Sequence, residues 1–196
     1  MKELCIKTVE ALQRRGFDAE YVADENAAAA RVLKIAAEQG ARTLGTGGSA
    51  TVKALGLVDS LKAAGLATFG HGDPREQVAE LYLLSANALT ADGRIVNIDG
   101  ACNRISASVW GPKQVVFIIG RNKIVEGGID AAIARAKKFA CPPNCRRLER
   151  KTPCAETGVC VDCDSPDRIC KVTMIMERRP TRTPTIVLVV DADLGF

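Results

Sequence analysis

Apolar and polar positions alternate between a helical and an extended period along most of this chain. Leu4, Cys5, Thr8, Val9 and Leu12 share one helical stripe, and Gly16 is placed to end it. Ala19 to Val22 reads as a short strand. Asp24 can cap a second helix that runs through Ala36 and stops at Gly40. A strand from Thr43 to Gly45 then enters a glycine turn. Ser49 to Leu61 reads as helix, with Gly56 weakening its middle. Gly65 leads into a strand from Leu66 to Phe69. Asp73-Pro74-Arg75-Glu76 is a helix start, with Asp73 as cap, Pro74 in the first turn and Glu76 closing a capping box. That helix would turn Val78, Leu81 and Tyr82 to the core.

In the second half, Ala86 to Thr90 and Arg94 to Ile98 flank Asp92-Gly93 and predict a hairpin. Asn103 to Val109 predicts a short helix. Val115 to Ile119 is continuously apolar, as in a strand buried on both faces. Ile129 to Phe139 is helical. Residues 141–170 lose the periodicity and are rich in Cys, Pro, Asp and Arg. Val172 to Met176 and Ile186 to Val190 return as strands, joined by a basic loop, Arg178 to Arg182, that suits a soluble sheet edge. The expected architecture is one α/β domain over residues 1–196, with a cysteine-rich insertion at 141–170.

Composition narrows the partners. The net charge of +4 is mild and scattered, and aromatics make up 4% of the 196 residues. A base-stacking nucleic-acid surface is therefore not expected. No apolar run approaches the ~20 residues that span a bilayer, and the N-terminus has no apolar signal region. A cytoplasmic location is expected, with a small anionic metabolite as partner and neither nucleic acid nor membrane. In a reducing compartment the eight cysteines point to metal or thiol chemistry rather than to disulfides.

Leu44-Gly45-Thr46-Gly47-Gly48-Ser49 lies where a strand hands over to a helix. Glycines permit a tight turn and close ligand approach, and the helix start offers free N–H groups. Ser49 adds a hydroxyl, and Lys53 lies one turn further on. Neither a Walker loop nor a dinucleotide fingerprint is present. An ordinary strand-to-helix turn remains open beside a phosphate or carboxylate cradle. Three polar groups follow three expected strands: Asn87; then Asp99, Asn103 and Arg104; then Asn122 and Lys123. Ligands of open α/β sheets sit at such strand ends. Arg104 can hold a carboxylate or phosphate by two parallel bonds, and Asp99 can accept a proton. Each also has a local reading: Asn103 as a helix cap, Asp99 as a turn residue, Lys123 as a solvated lysine. His71 is the single histidine, without an evident local partner, and Trp110 reads as packing.

These residues carry a resemblance. Gly47-Gly48-Ser49-Ala50-Thr51, Ala86-Asn87-Ala88-Leu89-Thr90-Ala91-Asp92-Gly93, Asn97-Ile98-Asp99-Gly100, Asn103-Arg104, Gly111-Pro112-Lys113 and Gly120-Arg121-Asn122-Lys123-Ile124-Val125 resemble the LUD family of lactate-utilisation proteins. Asp193-Leu194-Gly195-Phe196 fits as well. The chain departs at Cys102, where a glycine is more typical. The resemblance implies a mostly parallel sheet flanked by helices, similar to the sugar-phosphate isomerase and CoA-transferase superfamily. It also implies a role in or beside oxidation of lactate to pyruvate, with iron–sulfur partner subunits.

Six cysteines lie between Cys141 and Cys170, in a segment that resembles a cysteine-bearing branch of the same family. Cys160 and Cys163 have the spacing for two thiolates on one metal, and Cys154 and Cys170 can complete four. Four thiolates suit an iron–sulfur cluster, with zinc as the alternative. A second quartet, Cys141, Cys145, Cys160 and Cys163, also stays open, as do free thiols. Two other functions are compatible with the sequence. One is a sugar-phosphate or acyl-CoA enzyme, by fold analogy. The other is a non-catalytic redox or metal-sensing module.

Overall fold

In the computed structural model, which describes residues 1–196, the first stripe becomes α1 (Lys2–Arg14), burying Cys5, Thr8, Val9 and Leu12. β1 (Asp18–Val22) and α2 (Glu25–Glu38) follow, and Asp24 caps α2 by accepting the Ala27 N–H at 2.8 Å. β2 (Thr43–Thr46) enters the glycine turn. The single helix expected after it is two, α3 (Ala50–Ala54) and α4 (Leu57–Ala63). Gly56 adopts φ +60° between them, a conformation that ends a helix and favours glycine.

A larger correction follows β3 (Ala67–Phe69). The capped start at Asp73 yields only a 3-10 turn, Pro74–Val78, after which Leu81–Leu84 forms β4. Four consecutive apolar residues give a strand covered on both faces more readily than one side of a helix. All four are fully buried, whereas Val78 is 70% exposed. Glu76 does not close a capping box; its side chain is buried.

β5 (Ala88–Thr90) and β6 (Ile95–Asp99) form the expected antiparallel hairpin, with Gly93 at φ +88° in its turn. α5 (Asn103–Val109), the buried β7 (Gln114–Gly120) and the two-residue β8 (Ile124–Val125) come next. α6 (Gly128–Arg135) then continues through a π-helical turn, Ala136–Ala140, into α7 (Cys141–Arg147). Pro142 and Pro143 lack N–H groups, which removes partners for preceding carbonyls and accounts for the widened turn. Asn144 Nδ2 donates to the Ala140 carbonyl at 3.0 Å. The cysteine segment, expected without periodicity, thus begins as helix and adds α8 (Pro153–Thr157) before β9 (Val172–Met176) and β10 (Thr185–Val190).

Six strands form one parallel sheet in the order β1-β10-β7-β4-β2-β3. β7 sends Val115, Phe117 and Ile119 to the face that holds Cys5 and Leu12, and Val116 and Ile118 to the face that holds Val32 and Leu61. Helices cover both faces, as the alternation requires. A second, four-stranded sheet has the order β8-β5-β6-β9 and is mostly antiparallel. The adjacent strands β2, β4 and β7 end at Thr46, Leu84 and Gly120, so the residues just beyond them gather at one edge. No helix is long and apolar enough to cross a membrane.

Candidate functional site

A cavity of about 310 Å³ opens where those strand ends meet the end of β6 and the start of α7. Gly48 and Ser49 come from beyond β2, Ser85 and Asn87 from beyond β4, and Lys123 from beyond β7. Asp99, Asn103 and Arg104 come from the end of β6 and the start of α5. Cys141, Asn144, Arg147, Arg150 and Ile169 also line the cavity. The glycine turn and the cysteine segment therefore share one cavity. Four of its lining residues are basic (Arg104, Lys123, Arg147, Arg150) and one, Asp99, is acidic.

Lys123 is not a solvated lysine. It is 3% exposed, and its Nζ donates to Thr51 Oγ1 and Ser85 Oγ, each at 2.9 Å. Burial, and then the positive charges of Arg135 and Arg104, push its pKa down to about 7. Arg135 is itself buried: its guanidinium donates to the backbone carbonyls of Asn87 and Asn122 and meets no carboxylate there.

Arg104 is 15% exposed at its side chain and is oriented by two groups. Its Nη2 donates to the Ile98 carbonyl at 2.9 Å, and its Nε lies 3.3 Å from Asp99 Oδ2. Asp99 Oδ1 accepts the N–H groups of Gly100 and Cys102, at 2.7 and 3.2 Å. Asp99 thus builds the turn and holds Arg104. Cys102 sits in that turn at φ +63°, the left-handed region where a glycine is relaxed and a side chain is strained.

The glycine turn works by close approach rather than by positive φ. A Cβ on Gly47 would lie 2.1 Å from Arg104 Cγ and 2.7 Å from Tyr82 Oη. A Cβ on Gly45 would lie 2.4 Å from the Glu76 carbonyl oxygen. Gly47 therefore leaves the room into which Arg104 folds, while Gly48 faces open space in the cavity. Ser49 caps α3, its Oγ accepting the Val52 N–H at 3.3 Å. Gly47, Gly48 and Ser49 also border a second cavity of about 520 Å³, to which Lys53 belongs.

The remaining candidates divide. Asn87 lines the first cavity, although its Oδ1 is taken by the Ile98 N–H at 2.8 Å. Asn103 does not cap α5. Its Nδ2 donates to Glu76 Oε1 at 2.9 Å and lies 2.8 Å from His71 Nδ1. Asn122 does not line the cavity; its amide joins the Leu194 N–H and the Gly195 carbonyl. Residue-by-residue reading missed Thr51, Ser85, Glu76, Arg147 and Arg150. Ser85 directly follows the unrecognised β4, so recognising that strand would have exposed it.

The cysteines do not form the four-thiolate set expected of Cys154, Cys160, Cys163 and Cys170. No group of three or more His, Cys, Asp or Glu side chains is placed to hold a metal ion. Instead the Cys141 thiol meets that of Cys170, and Cys145 meets Cys154. Hydrogen bonding from Cys141 lowers the Cys170 pKa, with Arg168 adding to the effect, and the same contact raises Cys141. Arg168 also ties the loop together by donating to the carbonyls of Cys163 and Cys170, at 2.7 and 2.8 Å, and to Asp162 at 2.7 Å. The second quartet is not assembled either, and all eight cysteines are free.

Comparison with known proteins adds two findings. A model of the LUD domain family matches residues 5–190. The fold is similar to that of a DUF162 family protein from Deinococcus radiodurans, with a TM-score of 0.59 and 96% of each chain covered; at 13% identity that likeness concerns the fold alone. No curated protein matches the sequence.

Proposed function

The chain belongs to the LUD-domain family, which is associated with lactate utilisation, and on that premise we propose that its cavity binds a small carboxylate or phosphate compound. In this reading the protein acts in or beside the oxidation of lactate to pyruvate. The observation that carries it is Lys123, a buried amine whose direct partners are hydroxyls and whose charged neighbours are cations. A buried cation is costly without a counter-ion, and a bound anion supplies one. Arg104 is positioned to take a second oxygen of the same group, because Gly47 and Asp99 fix where it lies. Asn103, Arg147 and Arg150 line the approach. A cavity of this volume suits a metabolite rather than a macromolecule.

A thermal-shift series with lactate, pyruvate and inorganic phosphate tests the reading. At a hundredfold excess over Kd, a ligand specific to the folded state adds about 2.7 kcal/mol of stability. At least one anion is expected to raise Tm in the wild type and to fail in Lys123→Met. No response to any of the three would reject the reading.

One observation favours a metal centre as a second reading. Ionising Cys141 is opposed by its contact with Cys170 and by burial, and ionising Cys145 by burial and then by Cys154, so these thiols lie close together away from water. A soft cation relieves such crowding. Cys154, Cys160, Cys163 and Cys170 would have to draw together to hold an iron–sulfur cluster or zinc. Iron and zinc analysis after anaerobic purification tests this, and no step of the anion reading depends on it.

A further inference from the structure

Lys123 differs from every other lysine of the chain in what surrounds it. Its Nζ lies 2.9 Å from two hydroxyls, it borders the cavity, and burial among Arg135 and Arg104 favours the uncharged amine. Asp99, the one acidic side chain of the lining, is engaged by Arg104. An uncharged amine keeps its lone pair and is a nucleophile towards carbonyl carbon. The neighbouring Arg104 is suited to an anionic group a few atoms away. We propose that Lys123 is a nucleophile that forms an imine with a small carbonyl compound carrying a carboxylate or phosphate.

The step balances without an oxidant or reductant. The Nζ lone pair adds to the carbonyl carbon, and the C=O pair moves to oxygen. A proton passes from nitrogen to that oxygen to give a carbinolamine. The remaining N–H proton then passes to the hydroxyl, which departs as water as the nitrogen lone pair forms the C=N bond. The hydroxyls of Thr51 and Ser85 stand where protons move between the nitrogen and the oxygen. Water is the only product besides the imine. This inference rests on the anion-binding reading of the same cavity, and it adds the electrophile that reading leaves open.

Reductive trapping tests it. The full chain is incubated at about pH 7.5 with sodium cyanoborohydride and either pyruvate or dihydroxyacetone phosphate, with lactate as a control that lacks a ketone. Surface lysines with a pKa near 10.4 are almost wholly protonated there. Peptide mass spectrometry is expected to find Lys123 as the reduced lysine, with every other lysine labelled at least about tenfold less and the α-amino group counted separately. A pyruvate adduct assigns a 2-oxo carboxylate, and a dihydroxyacetone phosphate adduct assigns a phosphorylated ketone. Lys123→Arg, which keeps a basic donor but has no nucleophilic amine, is expected to lose the adduct. Ser85→Ala, which keeps the lysine, is expected to slow its formation about tenfold. If an anion raises Tm but Lys123 takes no adduct, the imine is overturned and anion binding stands. If neither compound binds or labels, both fail. Labelling spread evenly over the lysines also overturns the proposal.

Discussion

The two sides of the cavity are made of different material. Lys123, Ser85 and Arg104 stand at the ends of strands and a helix packed into the core, and each is held by hydrogen bonds to fixed partners. By contrast, Arg147, Arg150 and Ile169 stand on α7 and on loops tied by a few side chains. These ties include Arg146 to the Ala155 carbonyl at 3.0 Å, Asp167 to the Lys151 N–H at 2.9 Å, and Arg168 to the Cys163 and Cys170 carbonyls. The strand-end side is preorganised for charge, which strengthens any interaction it makes with an anion. The cysteine side is held mainly by side-chain bonds to loop backbone. Anion affinity should therefore follow the first side, and thiol chemistry the second.

The largest effect is expected from Lys123→Met. Losing a charge-assisted bond should weaken anion binding by about 2–3 kcal/mol, or roughly a hundredfold, in calorimetric titration. The unliganded variant should not lose stability, because an apolar side chain replaces a buried amine that has hydroxyl partners but no counter-ion. If binding and stability fell together, Lys123 would be a structural group and the contrast between the two sides would fail.

Gly47→Ala comes next. Its new methyl meets Arg104 Cγ at 2.1 Å and must displace it. Anion affinity should fall about tenfold, alongside a stability loss of about 1–3 kcal/mol. Gly48→Ala faces open space and should cost far less stability, which chemical denaturation of the pair would show.

pH separates the two sides further. The pKa of Lys123 in the fold, about 7, lies below its unfolded value of 10.5. The unfolded chain therefore binds the extra proton between those values, and the penalty of burying Lys123 is full below pH 7. It is relieved as pH rises from 7 towards 10.5, with a slope of up to about 1.4 kcal/mol per unit. Wild type should gain stability relative to Lys123→Met over that interval. Anion binding should weaken over the first part of it, as the bound-state charge is lost.

Two smaller changes fall on the other regions. Arg168→Gln should release the cysteine loop at a cost of about 1 kcal/mol. It should speed alkylation of Cys160 and Cys163 while leaving anion affinity within about twofold. A larger loss of affinity would show that the two sides are coupled. Cys102→Gly should add up to about 1 kcal/mol by relieving the positive φ, as read from the denaturation midpoint.

The sequence carried the outer frame of this account more clearly than its middle. The Asp24 cap, the Asp92-Gly93 hairpin and the buried run at Val115 to Ile119 have strong local signals, and all three appear as expected. β4 was hidden because Asp73-Pro74 signals a helix that ends after one turn, and Ser85 was hidden with it. The role of Gly47 was also out of reach, since it depends on Arg104 arriving from a position 57 residues away in sequence, an encounter only the fold creates. Cys102 is a middle case: a side chain at a glycine-like position was visible, and the left-handed φ gives its physical meaning. Thiol pairing of Cys141 with Cys170 could not be read from spacing, because α7 determines which cysteines meet.

The central claim is that a buried amine beyond β7 makes this cavity an anion site. Calorimetric titration of wild type and Lys123→Met with lactate, pyruvate and phosphate at about pH 6.5, where the amine is largely protonated, tests it most directly. Saturable one-to-one binding of at least one of these anions to the wild type is expected, with an affinity roughly a hundredfold lower in the variant. Equal affinities in the two proteins, or no binding by the wild type, would contradict it.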